Sequence, residues 1–201
     1  MRKILTLCVV VVVICVLFGF LPIHGEGEIY DNVIRLHVIA NSNSYEDQEL
    51  KLKVRDSVLQ IINEICNEKQ IKDVNTAIDV ITENLGFIEE TSRQRIKSEG
   101  YQYNVEICFS EENYPTKNYE GIAFPSGKYL SLQVKIGEAE GDNWWCVLFP
   151  PLCLSAASET NGPDLINIGF SSEQYKIITD SADAKYKVRF KILETVEKVI
   201  S

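Results

Sequence analysis

At Gly100 the hydrophobic repeat changes period, so no all-helical or all-strand fold accommodates both halves of the chain. Upstream, Leu50, Val54, Val58, Ile61, Ile62 and Ile65 recur at helical spacing, with Lys51, Lys53, Arg55 and Asp56 outside the stripe. Ser44 followed by Asp47 has the form of a capping box, with Asp in the usual Glu position. A second helix is predicted from about Asp73 to near Gly100, with Ile78, Ile81, Leu85 and Ile88 on one face. Downstream the period is two. Tyr101, Tyr103, Val105, Ile107 and Phe109 alternate with polar neighbours, and Leu130, Leu132, Val134 and Ile136 alternate with Tyr129, Ser131, Gln133 and Lys135. Ile34, Leu36, Val38 and Ala40 suggest an earlier strand. One-sided strands suit a sheet with one face against helices. The expected fold is α+β, a two-layer, mainly antiparallel sheet with helices packed on one face.

The amino terminus reads as a targeting segment. Arg2 and Lys3 precede an apolar run from Ile4 to Phe18 that is broken only by Thr6. A signal-peptide core is about 7–15 residues and a spanning helix roughly 20, and this run lies between them. No small-residue cleavage site follows, so a cleaved signal peptide and a retained membrane anchor both stay open for residues 1–25. The basic flank places everything after Gly25 outside the cytoplasm.

The 201 residues include 29 acidic and 20 basic side chains. Beyond residue 25 the balance is 18 basic against 29 acidic, a net of −11, which repels nucleic acid and anionic headgroups. No nucleic-acid partner is expected. The exported part reads as an α+β core over residues 26–154, a surface excursion rich in Ser, Thr, Gly and Asn over 155–182, and a helix over 183–201. Ala184, Val188, Ile192 and Val196 give that last helix a face to pack on the core.

Little in the chain points to catalysis. It has two histidines, His24 and His37, and no Cys-x-x-Cys pair, His-x-x-x-His pair or Gly-rich phosphate loop. No metal or cofactor is expected. The enzyme alternative is a secreted thiol- or hydrolase-type activity using Cys146 or Cys153 with His37 as base. A structural protein would need repeats or cross-linkable low-complexity sequence, and neither is found.

The stretch GEAEGDNWWCVLFPPLC, residues 137–153, joins an acidic glycine-punctuated loop to a wall of apolar residues. Trp144 and Trp145 are adjacent, so on a strand they point to opposite faces: one is expected in the core and the other available to a partner. Cys146 and Cys153 are candidates for a disulfide, with two buried thiols as the alternative. The loop, including Asp142, reads as a mobile approach to a corner stiffened by Pro150 and Pro151. If both tryptophans are core, the partner surface is to be sought around Arg35, His37 and Asn41.

VIRLHVIANSNS (33–44), LKLKVRD (50–56), YPTKNY (114–119), PSGKY (125–129) and GEAEGDNWWCVLFPPLC together resemble the stage II sporulation protein R family of endospore-forming bacteria. The likeness extends from Asn32 to Leu154 and to VRFKILE near the carboxyl terminus, leaving 155–182 outside it. Ala139, Asn43 and the placement of Glu120 depart from the family pattern at loop positions. The resemblance implies a ligand and not a protease. Such a protein is made in the forespore and exported to the space between the two septal membranes. There it activates a membrane-embedded aspartic-type protease, which matures an early mother-cell sigma factor.

Overall fold

The computed structural model describes Lys3, Thr6, Leu7, Val9, Val10 and residues 29–119, 122–152 and 170–180. The final helix expected over 183–201 and most of the export segment lie outside the described residues. Among the described residues, no helix is long and apolar enough to cross a membrane.

The fold is α+β. Strand β1 (Ile34–Ile39) leads into helices α1 (Tyr45–Glu68), α2 (Val74–Glu83) and α3 (Leu85–Ser98). The chain returns as β2 (Val105–Tyr114), makes a small hairpin of β3 (Lys117–Tyr119) and β4 (Ile122–Phe124), then forms β5 (Gly127–Ile136) and β6 (Asn143–Phe149). A last described helix, α4, covers Ser172–Asp180. The main sheet has the order β2-β5-β1-β6.

β2–β5 and β1–β6 are antiparallel, as the one-sided patterns suggested, but β1 and β5 are parallel. One-sided alternation favours antiparallel sheets in general, but it reports which face a residue takes and does not fix the direction of any one strand pair. The helical crossover delivers β2 to the far edge, and the return through β5 then fills the place beside β1.

Helices cover one face. Leu36, Val38, Val54, Ile81, Ile88, Ile96, Leu132 and Val134 are all fully buried there in one apolar cluster. The helix expected to run from Asp73 to Gly100 is two helices, separated at Asn84. The Asn84 side chain donates to the Val80 carbonyl at 2.8 Å, and its backbone N–H turns back to Ile81 and Thr82. This local competition for helix carbonyls ends α2 without disturbing its apolar stripe.

The opposite face differs from the sequence reading. Tyr129 and Ser131 sit on the expected polar side of β5, yet both are buried. A second cluster of Ile29, Val33, Tyr114, Phe124, Tyr129, Val147, Leu152, Phe170 and Ile178 covers that end of the sheet. Phe170 and Ile178 belong to the stretch expected as a surface excursion; part of it is instead helix α4, packed near β4. Its Ser, Thr and Asn content masked a short amphipathic segment.

Candidate functional site

The tryptophan-bearing strand is positioned by an arch. β5 and β6 flank β1, so the loop of residues 137–142 must cross the end of β1 to join them. Residues 40–43 meet it there. The Asn41 carboxamide oxygen accepts from Glu138 N at 3.0 Å, the Asn41 carbonyl from Glu140 N at 3.2 Å, and the Ala40 carbonyl from Gly141 N at 2.9 Å. Asn43 Oδ1 accepts from Asp142 N at 2.6 Å. Gly137 has φ +59°, and a Cβ there would lie 2.2 Å from Asn41 Oδ1; one on Gly141 would lie 2.2 Å from the Ser42 carbonyl. The glycines permit close approach, and the loop is clamped, not the mobile approach expected from its composition.

Asp47 holds the clamp from below. It is buried, accepting from Asn41 Nδ2 at 2.8 Å and Ser42 Oγ at 2.6 Å, while Ser44 Oγ caps α1 by accepting from Asp47 N at 3.1 Å. One half of the expected capping box is thus present. The carboxylate of Asp47 is turned to the clamp, and Ser44 N donates instead to Ser42 Oγ. Burial alone would raise the Asp47 pKa, but hydrogen bonds from Ser42, Asn41, Tyr103 and Ser44 outweigh it and hold the carboxyl below its ordinary value. Lys51, also buried, donates to the Asp142 carbonyl at 2.9 Å and to Gln48 Oε1 at 2.5 Å. Burial pushes its pKa down, opposed by the Asp142 charge and aided by Arg55.

On this base the two tryptophans diverge. Trp144 lies opposite Val38, on the helix side, and remains 37 % exposed. Its ring carries the Arg55 guanidinium at 4.3 Å, and Arg55 is itself paired to Asp56 at 2.6 Å. Trp145 lies opposite His37 on the other face, half-buried, with Tyr114 at 6.1 Å and His37 at 5.7 Å between ring centroids.

The other candidates are structural. His37 is held between Glu112 Oε1 at Nδ1 and Asn143 Oδ1 at Nε2, both at 2.8 Å, and Gln133 donates to the same Glu112 oxygen. Arg35 is fully buried in this structure and donates from Nε to the Cys146 carbonyl at 3.0 Å, so it is covered and not part of the surface expected around it. Asn41 is consumed by the clamp. Asp142 is exposed, with its backbone bound on both sides.

The thiol–imidazole alternative fails for Cys146. Cys146 pairs with Leu36 and joins the helix-side cluster, while the next residue of each strand, Trp145 and His37, faces the opposite way. Cys153 lies outside the described residues. Among the described residues, no group of three His, Cys, Asp or Glu side chains could hold a metal ion.

Sequence reasoning missed Arg55, Lys51 and Glu112. Each acts through a partner far along the chain; Arg55 and Lys51 left only the local signal of cations outside the apolar stripe of α1, and that signal did not show that Lys51 is buried.

A family model described as stage II sporulation protein R matches residues 30–159. Stage II sporulation protein R of Bacillus subtilis (strain 168) is 37 % identical over 123 residues, covering 61 % of this chain and 54 % of that protein. The chain therefore matches about half the length of that relative. No solved structure matches.

Proposed function

The chain belongs to the stage II sporulation protein R family, and on that premise we propose that it is an exported signal that acts by binding. Membership supports a role in sporulation. The reading extends this to a receptor, a membrane-embedded aspartic-type protease whose extracytoplasmic face the protein engages. That engagement triggers maturation of an early mother-cell sigma factor, and the protein itself is not an enzyme. It acts in the intermembrane space between forespore and mother cell, delivered there by residues 1–25, which also provide any membrane attachment.

The observation that carries the binding role is Trp144. A large aromatic side chain is kept 37 % exposed on a clamped strand, stacked with an arginine. Trp and Arg are the side chains that most often anchor protein interfaces. Their immobilisation before binding lowers the entropy lost on association. Asp142, exposed two residues before it in the chain, orients the approach.

Co-expression with the candidate protease and its pro-sigma substrate tests both levels. Processing that requires this protein supports the signalling role, and processing indifferent to it removes that role. Trp144→Ala is expected to abolish processing; unchanged processing would remove Trp144 from the interface while leaving the role standing. An alkaline phosphatase fusion after Ser201 is expected to be active, and an inactive one would overturn export.

A bridge between Cys146 and Cys153 belongs to the same reading. Cys66 and Cys108 are free thiols, and Cys146 is not one of them. A joined peptide in non-reducing mass spectrometry is expected, whereas two alkylated thiols in folded protein would exclude the bridge.

A further inference from the structure

Arg35 is the least matched charge among the described residues. It is fully buried on the second face of the sheet. Its guanidinium lies over three rings, with Tyr114 at 4.3 Å, Tyr129 at 5.1 Å and Phe124 at 5.4 Å from the central carbon. Nε donates to the Cys146 carbonyl. Nη1 and Nη2 have no hydrogen-bond partner among the described residues.

Ring faces offset part of a buried positive charge. They supply no lone pairs in the guanidinium plane, where the N–H groups point. A buried donor left without an acceptor is costly, and a buried cation more so. Tyr114 and Tyr129 do not turn their hydroxyls to it: one engages Ser131 Oγ and the other donates to the Pro125 carbonyl, both at 2.7 Å. The remaining edge, Nη1 beside Nη2, has the fork geometry that takes the two oxygens of one carboxylate.

We propose that Arg35 is the floor of a carboxylate-receiving site, closed in this structure by the β3–β4 hairpin and α4. Phe124 of β4 lies over the guanidinium and meets Phe170 at 6.0 Å between centroids. β3 and β4 are three-residue strands in a two-stranded sheet, which has little stability of its own. Such a cover opens more readily than the main sheet beneath it. A single negative charge fits better than a dianionic phosphate, because Glu112 stands on the same face with Oε2 also unpartnered. The carboxylate comes from an acidic side chain of the receptor or from a small free acid; the chemistry of the fork is the same.

The test is thermal unfolding of the full chain in mild detergent, in sodium acetate against sodium chloride at equal ionic strength. For the natural sequence, saturating acetate is expected to raise Tm by about 2–4 °C over chloride. Arg35→Met keeps an unbranched apolar stem without the charge, filling part of the volume, and is expected to lose the acetate-specific rise. An equal rise in both proteins, or none in the natural one because water suffices as acceptor, overturns the site. If Arg35→Met does not fold, Arg35→Lys keeps the charge without the fork, and a retained acetate response in it overturns the proposal equally. Processing in the co-expression assay separates the sources: loss with folded Arg35→Met assigns the carboxylate to the receptor, and normal processing assigns it to a free acid. The acetate measurement does not depend on signalling, so its failure is distinct from failure of the Trp144 anchor.

Discussion

The two faces of the sheet solve burial differently. Toward the helices the core is aliphatic, with Leu36, Val38, Leu132 and Val134 against Val54, Ile81 and Ile88. Across the sheet the covered end is aromatic and polar: Tyr114, Tyr129 and Phe124 enclose Arg35, and Tyr114 is hydrogen-bonded to buried Ser131. Apolar packing is non-directional and tolerates rearrangement. The polar layer demands that each donor meet an acceptor. The helix side therefore supplies stability, and the second face supplies fixed geometry together with most of the unmatched polar atoms, Arg35 Nη1 and Nη2, Ser110 Oγ and Glu112 Oε2 among them. The tryptophan strand lies at the edge of both, one ring on each side.

The sharpest way to break this contrast is Leu36→Ala. On the aliphatic face it is expected to cost about 2–5 kcal/mol by transfer and cavity terms, measured by urea denaturation. A loss below about 1 kcal/mol would mean that the helix layer collapses onto the gap and is not the main source of stability.

On the second face, Tyr114→Phe leaves the Ser131 hydroxyl without its partner and is expected to cost about 1–3 kcal/mol. Adding Ser131→Ala should recover most of that loss, because removing both partners of a buried hydrogen bond is close to neutral. Simple additivity in the cycle would show that the polar layer behaves like the aliphatic one.

Trp144→Ala is expected to cost about 1–3 kcal/mol of folding stability, because the buried part of the ring is lost together with the Arg55 contact, while processing is lost in protein that still folds. Half-buried Trp145, whose ring packs with Tyr114 and His37, should cost more in stability than Trp144 when replaced by alanine. The reverse order would exchange the roles of the two rings.

The smallest effect is a pH limb. Asp47 has its folded pKa below the ordinary value of 3.8, so its contribution is present above that value and is lost as pH falls through the depressed one. Denaturation midpoints at pH 5 and pH 3 are expected to diverge more for the natural sequence than for Asp47→Asn. Equal divergence would place the acid sensitivity outside the clamp.

Much of the architecture was legible in the residues themselves. Periodicity identified α1 and the strands β1, β2 and β5 with their helix-facing sides, and the Ser44–Asp47 spacing marked the cap of α1, because face, period and capping are local properties of the chain. Adjacency alone placed Trp144 and Trp145 on opposite faces. Three things were settled by tertiary structure. Strand direction followed from the crossover. The burial of Tyr129, Ser131 and Arg35 followed from a second layer built by Ile29, Phe124 and Phe170, residues distant in the chain with no pattern of their own. The rigidity of GEAEGD followed from Asn41, Asn43 and Asp47. Glycine and acidic residues read alone as a flexible loop, and become fixed only where another segment presents acceptors to the loop's N–H groups at contact distance.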